Sequence, residues 1–197
     1  ICWNYETSKT VIEGFTIANC FSFWQGAGMH NWRSSPTLTN CTFTNNSADE
    51  GGGMYNITDS NPTLTDCTFE NNTVSLEGGG INVGAYTMTL TDCTFENNTA
   101  SDDGGGMYNW DSSPTLENCT FTDNTAEYYG GGKFNPSSSP TLTNCTFNGN
   151  SANSGGGMYN YEGSPTLTSC TFTNRFNAST LVVKIHLCGP HSRETLP

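Results

Sequence analysis

Positive charge is scarce in this sequence: 6 Lys and Arg stand against 18 Asp and Glu, for a formal net charge of -12. Such a chain is repelled by a phosphate backbone or an anionic membrane surface, so no nucleic-acid partner is expected. The cations, Lys9, Arg33, Lys133, Arg175, Lys184 and Arg193, do not recur at one position of any pattern. They therefore supply no basic groove for an acidic sugar. Long apolar runs are also missing. No stretch approaches the roughly 20 residues needed to span a bilayer, and residues 1–20 lack the basic start and apolar core of a signal peptide. The chain opens at Ile1 inside patterned sequence, as a mature product or fragment would, so any export signal is expected outside these residues. There is no CxxC pair of the zinc-site type. His30, His186 and His191 fall at unrelated positions, and no Ser, His and Asp set or phosphate-binding glycine loop stands out, so no catalytic residue is assigned.

What the sequence has instead is repetition. Cys20, Cys41, Cys67, Cys93, Cys119, Cys145 and Cys170 are separated by 21, 26, 26, 26, 26 and 25 residues, each within a version of P-T-L-T-N-C-T-F-T-N-N. Half a period away lies G-G-G-M-Y-N, at Gly51–Asn56, Gly104–Asn109 and Gly155–Asn160, with GAGMHN, GGGINV and GGGKFN as variants. A fixed period of this length is the signature of a solenoid. Triple glycine and proline in every unit exclude a helical one.

The columns show which side chains turn inwards. Ile17, Leu38, Leu64, Leu90, Leu116, Leu142 and Leu167 form one file, the cysteines a second, and Phe43, Phe69, Phe95, Phe121, Phe147 and Phe172 a third. Period-two alternation explains the step from Cys to Phe. The odd step from Leu to Cys requires a bend, and Asn19, Asn40, Asp66, Asp92, Asn118 and Asn144 are types that tolerate a left-handed corner. The sequence thus predicts an all-β, right-handed parallel β-helix of about seven coils of ~26 residues with three short strands per coil. Residues 1–10 are expected to form a partial coil or edge, 11–174 the repeats, and 175–197 a non-repeat tail or cap. Stacked cysteines of this kind read as small core residues, with Cys2 and Cys188 outside the file as cap residues or intermolecular thiols.

The motifs FTNN at Phe43–Asn46 and FENN at Phe69–Asn72 and Phe95–Asn98, alternating with GGG, resemble the FxxN and GGA-I/L/V repeats of chlamydial polymorphic outer membrane proteins. VIEGFTI at Val11–Ile17 resembles the start of many pectin lyase-like β-helix repeat proteins. The resemblance implies a secreted or surface-attached, often adhesive, passenger region. Gly53 and its counterparts replace the Ala usual in that family.

Candidate functional residues lie on the outer surface. Asp49, Glu50, Glu77, Asp102 and Asp103 recur just before successive GGG motifs, and read either as a solvated acidic ridge or as oxygen ligands for Ca²⁺. Trp110, Tyr128, Tyr129 and Tyr161, with Trp24, read either as packing between loops or as rings for stacking on sugars. Two threonine files, an unbroken one from Thr16 through Thr166 and one from Thr39 through Thr168 interrupted by Glu117, suit an exposed parallel sheet, and they also resemble the Thr-x-Thr faces of ice-binding solenoids. Three functions follow as expectations. The first is a non-catalytic extracellular or cell-surface scaffold, an adhesin-like segment or a fibre module joined end to end, with a carbohydrate or cell-surface ligand. The second is a carbohydrate-binding or polysaccharide-degrading β-helix, and the third ice binding.

Overall fold

The computed structural model describes residues 2–3, 9–84, 86–173 and 182–183. Among these there is no helix, and every strand pairing is parallel. The described chain winds into a β-solenoid of about six turns, rather than the seven coils expected. Seven strands of the Thr-Leu-Thr type stack into one sheet, from Val11–Glu13 to Thr166–Thr168. Seven of the Thr-Phe-Thr type stack into a second, from Thr16–Ala18 to Thr171–Thr173. Eight strands of the Met-Tyr-Asn-Trp type stack into a third, which runs from Cys2–Trp3 to Val182–Val183. The expected tail or cap at 175–197, and Cys188 within it, otherwise lie outside the described residues, as does the side chain of Cys2.

Four of the coils contain a strand more than the three expected. Ser47–Ala48, Thr73–Val74, Thr99–Ala100 and Thr125–Ala126 form a four-stranded sheet of their own. This strand exists because the chain turns twice, not once, through left-handed asparagine-type corners. The anticipated corner is present at Asn40, Asp66, Asp92, Asn118 and Asn144, with φ of 52–55°. A second follows the Phe strand at Asn45, Asn71, Asn97 and Asp123, with φ of 52–55°. Asn and Asp tolerate these angles because a short polar side chain compensates locally for the crowding of Cβ.

The first coil is registered differently from expectation. Ile12 pairs with Leu38, Ile17 with Phe43, and Phe21 bridges to Ser47, a uniform step of 26 residues. Phe15 therefore occupies the rung position of Cys41, and its carbonyl accepts from Thr42 N at 2.8 Å. Cys20 lies beside Asn46, its backbone N donating to Asn46 Oδ1 at 3.0 Å. The 21-residue spacing between Cys20 and Cys41 is a coincidence of residue type. The Thr-x-Thr face is headed by Val11 and Glu13, not by Thr16 and Ala18, which belong to the neighbouring sheet.

Inside, the Leu, Cys and Phe files are buried as expected. The Phe rings from Phe43 to Phe172 stack face to face, with centroids 4.5–5.2 Å apart and planes within 8°. The third glycine of each triplet exists for these rings. A Cβ on Gly53 would lie 2.6 Å from Gly80 O and 2.7 Å from Phe69 Cδ1, so the Ala of the resembling repeat does not fit here.

Two buried asparagine files complete the interior. Asn46, Asn72, Asn98 and Asn124 each donate Nδ2 to Oδ1 of the next rung's asparagine, ending at Asn150, at 2.9–3.0 Å. Each Nδ2 also donates to a backbone carbonyl of the preceding rung, as Asn98 does to Phe69 O at 2.9 Å. The Oδ1 of Asn72, Asn98, Asn124 and Asn150 each accepts a second bond, from the backbone N of the preceding asparagine. A second file joins Asn31 to Asn56, and Asn109 to Asn135 to Asn160, at 2.7–2.8 Å. Val83 interrupts it, paired with Asn56 on one side and Asn109 on the other. Asn56 Nδ2 and Asn109 Oδ1 are left buried without partners.

An unpaired buried amide group costs about 1–3 kcal/mol. Val83→Asn restores both bonds, and after the lost burial of valine it should stabilise the fold by roughly 1–2 kcal/mol. The converse change, Asn98→Ala, strands the donors of Asn72 and should destabilise by about 3 kcal/mol or more. Urea unfolding of the two variants against the parent checks both signs.

Candidate functional site: an aromatic and acidic sheet face

In the Met-Tyr-Asn-Trp strands, alternation turns Met and Asn into the core and sends the other two side chains out. Two outward files result on the eight-stranded sheet. The first is His30, Tyr55, Asn82, Tyr108, Phe134 and Tyr159. The second contains Trp32 opposite Ile57, Gly84 opposite Trp110, and Pro136 opposite Tyr161. The first file is tightly packed, with edge contacts of His30 on Tyr55 at 5.3 Å and Tyr108 on Phe134 at 5.5 Å. The second is open: Trp110 is 57 % exposed and Tyr161 50 %. Two rungs separate these rings, about 10 Å at the spacing of paired strands. Arg33 lies over the Trp32 ring at 5.7 Å.

The other two aromatic candidates lie across the sheet. Tyr129 stacks on Tyr159 at 4.7 Å and touches Phe134, so it is half packing residue and half surface. Tyr128 is exposed in the adjoining file. Trp24, exposed on the first coil with Phe21 and Phe23, heads the file that runs through Asp49, Leu76 and Asp102 to Tyr128. Phe21 and Phe23 line a shallow open groove over the four-stranded sheet with Ala48, Asp49, Val74 and Ser75. Sequence reading passed over these two rings because the first coil was misregistered.

The five carboxylates divide into two files. Backbone bonds from Gly51 N to Glu77 O and from Gly78 N to Asp103 O place Glu50, Glu77 and Asp103 on successive rungs, with Tyr129 next. Asp49 and Asp102 belong to the neighbouring file, separated by Leu76. Asp49 Oδ1 accepts from the Ser75 hydroxyl at 2.5 Å, and Asp103 Oδ1 from Tyr129 N at 3.0 Å. The carboxylates stack side by side, and among the described residues no group of three His, Cys, Asp or Glu is arranged to hold a metal ion.

Burial and mutual repulsion alter their chemistry. Burial, then the charges of Glu50, Asp102 and Asp103, push Glu77 up to about 7. Burial pushes Asp103 up to about 6, against the Tyr129 hydrogen bond that lowers it. Tyr55 and Tyr108 are raised by burial and by the same carboxylates. At neutral pH Glu77 is poised between donor and acceptor, suited to hydrogen-bonding a hydroxylated ligand beside the tyrosines.

Folded-state values above the ordinary carboxylate range mean that the unfolded chain ionises first as pH rises. Stability contributed by these groups is therefore full below about pH 4 and is lost as pH climbs to about 7. Both groups are half exposed, so solvent screening reduces the effect to roughly 1 kcal/mol. Thermal melts between pH 4 and 8 should show the decline, and Glu77→Gln should flatten it.

The family described as "Right handed beta helix region" matches residues 2–126 and 48–184. No curated protein and no solved structure shows a significant match to the chain.

Proposed function

Because the chain belongs to the right-handed β-helix family, whose repeats form a rigid scaffold, we propose that it is a non-catalytic extracellular or cell-surface module that binds polysaccharide on the outer face of the eight-stranded sheet. The observation that carries this reading is the open file of Trp110 and Tyr161, two rings at a fixed spacing on one rigid sheet, beside the outward file that contains Tyr108 and Tyr159. Rings offer apolar faces to sugar C–H groups, and the flanking polar groups bond the equatorial hydroxyls. The acidic files and the net charge of -12 select against polyanionic glycans. A neutral polymer is the fitting ligand, and a long chain engaging successive rungs gains avidity from weak repeated contacts.

Retention on insoluble neutral polysaccharides, with uronic polymers as the contrast, tests the reading. Trp110→Ala and Tyr161→Ala should each weaken retention by about 3–10-fold, the worth of one ring contact of ~0.5–1.5 kcal/mol. Retention unchanged in the double variant overturns the assignment of the face. Release of soluble sugar that Glu77→Gln abolishes would make the protein a degrading enzyme instead.

A second reading rests on the ends. Phe15, at the inward Cys position of the first repeat rung, is 61 % exposed with Ile12 beside it only partly buried, and on the last described repeat rung Leu167, Cys170 and Phe172 are less buried than their counterparts. End-to-end stacking of copies would cover both sets, and rods lengthening with concentration in electron micrographs are the expected result.

A further inference from the structure

The strand Lys133–Pro136 departs from its counterparts in the eight-stranded sheet at both ends. Its first inward position, filled by Met29, Met54, Ile81, Met107 and Met158 on other rungs, holds Lys133, which is fully buried. Methionine and lysine are both long and unbranched, so the stem fits, but an amino group lies where a methyl group belongs. Its last position holds Pro136, opposite Tyr161, and proline has no N–H to give the ladder. Pairing with the preceding strand lasts only two residues, Met107 with Lys133 and Tyr108 with Phe134. The pairing one rung earlier, of Ile81–Gly84 with Met107–Trp110, lasts four.

Nothing around Lys133 suits a charge. Its Nζ donates to the Met107 thioether at 3.1 Å, a weak acceptor. Its neighbours in the file, Met107 and Met158, carry no ionisable group, and the titratable groups that face it across the core are the thiols of Cys145 and Cys119. Both thiols are buried, and desolvation favours their uncharged form. A protonated Lys133 would be an ammonium with three donors, one thioether acceptor and no counter-ion, which a dry interior does not sustain. Burial accordingly holds its pKa far below the ordinary lysine range, at about 7.

We propose that Lys133 is an uncharged amine in the closed rod, and that proton uptake opens the strand Lys133–Pro136, which makes this rung a proton-operated latch. One proton joins the Nζ lone pair and no other covalent bond changes. The ammonium reaches water only when its strand leaves the core, and the side paired over two residues is where the strand parts most easily.

The direction follows from the two proton affinities. An opened or unfolded Lys133 binds its proton below about pH 10.4, and the closed form only below about 7. The closed form is therefore favoured in full above the ordinary lysine range and loses ground, up to about tenfold per pH unit, as pH falls to about 7. This window begins where that of Glu77 and Asp103 ends, and its sign is opposite. The same strand separates Trp110 from Tyr161, so opening it would disturb their spacing and release a bound chain, a consequence that rests on the sugar-binding reading.

Lys133→Met restores the residue usual in the file and removes the proton site. In urea unfolding of the full chain from pH 7 to 10, the folding constant of the parent should gain on that of the variant by about 100-fold or more, thiol ionisation being common to both. Hydrogen exchange at pH 7 should be about 10-fold or more faster in the parent at Lys133, Phe134 and Asn135, and equal in the two proteins at Met54–Ile57. A stability difference that is constant with pH, or exchange equal at both strands, would overturn the latch. So would a Lys133 Nζ that titrates in the ordinary lysine range by NMR, with or without thiolate absorbance. Retention on neutral polysaccharide should fall from pH 9 to pH 7 more steeply for the parent than for Lys133→Met, and equal slopes would overturn the coupling to the face. If neither protein is retained at any pH the sugar-binding reading fails with that coupling, while unfolding and exchange still decide the latch.

Discussion

Everything in this molecule depends on one rung lying in register on the next, and the asparagine files enforce that register. Hydrophobic contact between stacked Leu, Phe and Met side chains tolerates slippage, since apolar attraction has no direction. An amide whose oxygen must meet the nitrogen of its counterpart does not. Asn72, for example, is held by a backbone carbonyl below and an Oδ1 above, and its own Oδ1 accepts twice. A slip of one residue would break all four bonds in a dry interior, where an unmet polar group is expensive. The apolar files supply the bulk of the burial, and the amides select one alignment from many of similar packing.

That alignment turns a short repeat into surface files. Once the rungs are fixed, every outward residue repeats along the rod, and small substitutions gain meaning from their neighbours. Glu50, Glu77 and Asp103 become a single electrostatic unit only because they are stacked. Trp110 and Tyr161 become a pair with a defined separation only because Pro136 between them is small. The proposed sugar-binding face and the stacked interior files are the outer and inner expressions of one repeat spacing.

Much of this was legible in the sequence, for physical reasons that differ by residue. Leu, Cys and Phe announced themselves because apolar residues recurring at period two have one side to hide on. The Asn40-type corners were readable because few residues accept that backbone. The inward asparagines were not: Asn46 and Asn56 look like loop residues to any rule that sorts by polarity, and only a stacked partner makes their burial favourable. The first coil misled because Phe15 stands for a cysteine and Cys20 for an asparagine, so matching residue types shifted the frame by five. Lys133 could not have been placed either, since its file was visible but its type contradicts the core it enters. Among the surface candidates, residue type was legible. Their division into files was not, because that depends on which backbone position faces which.

The direction of the amide files has a mechanical consequence. Every amide in a file donates the same way along the rod, so the bonds run parallel to the axis and carry tension in series. In one file that series is continuous from Asn46 to Asn150. In the other it is cut at Val83, leaving the backbone bonds of the eight-stranded sheet as the axial tie between the second and fourth rungs of the file. A rod of this kind under bending load would give first about that point, with the uncut file acting as its hinge.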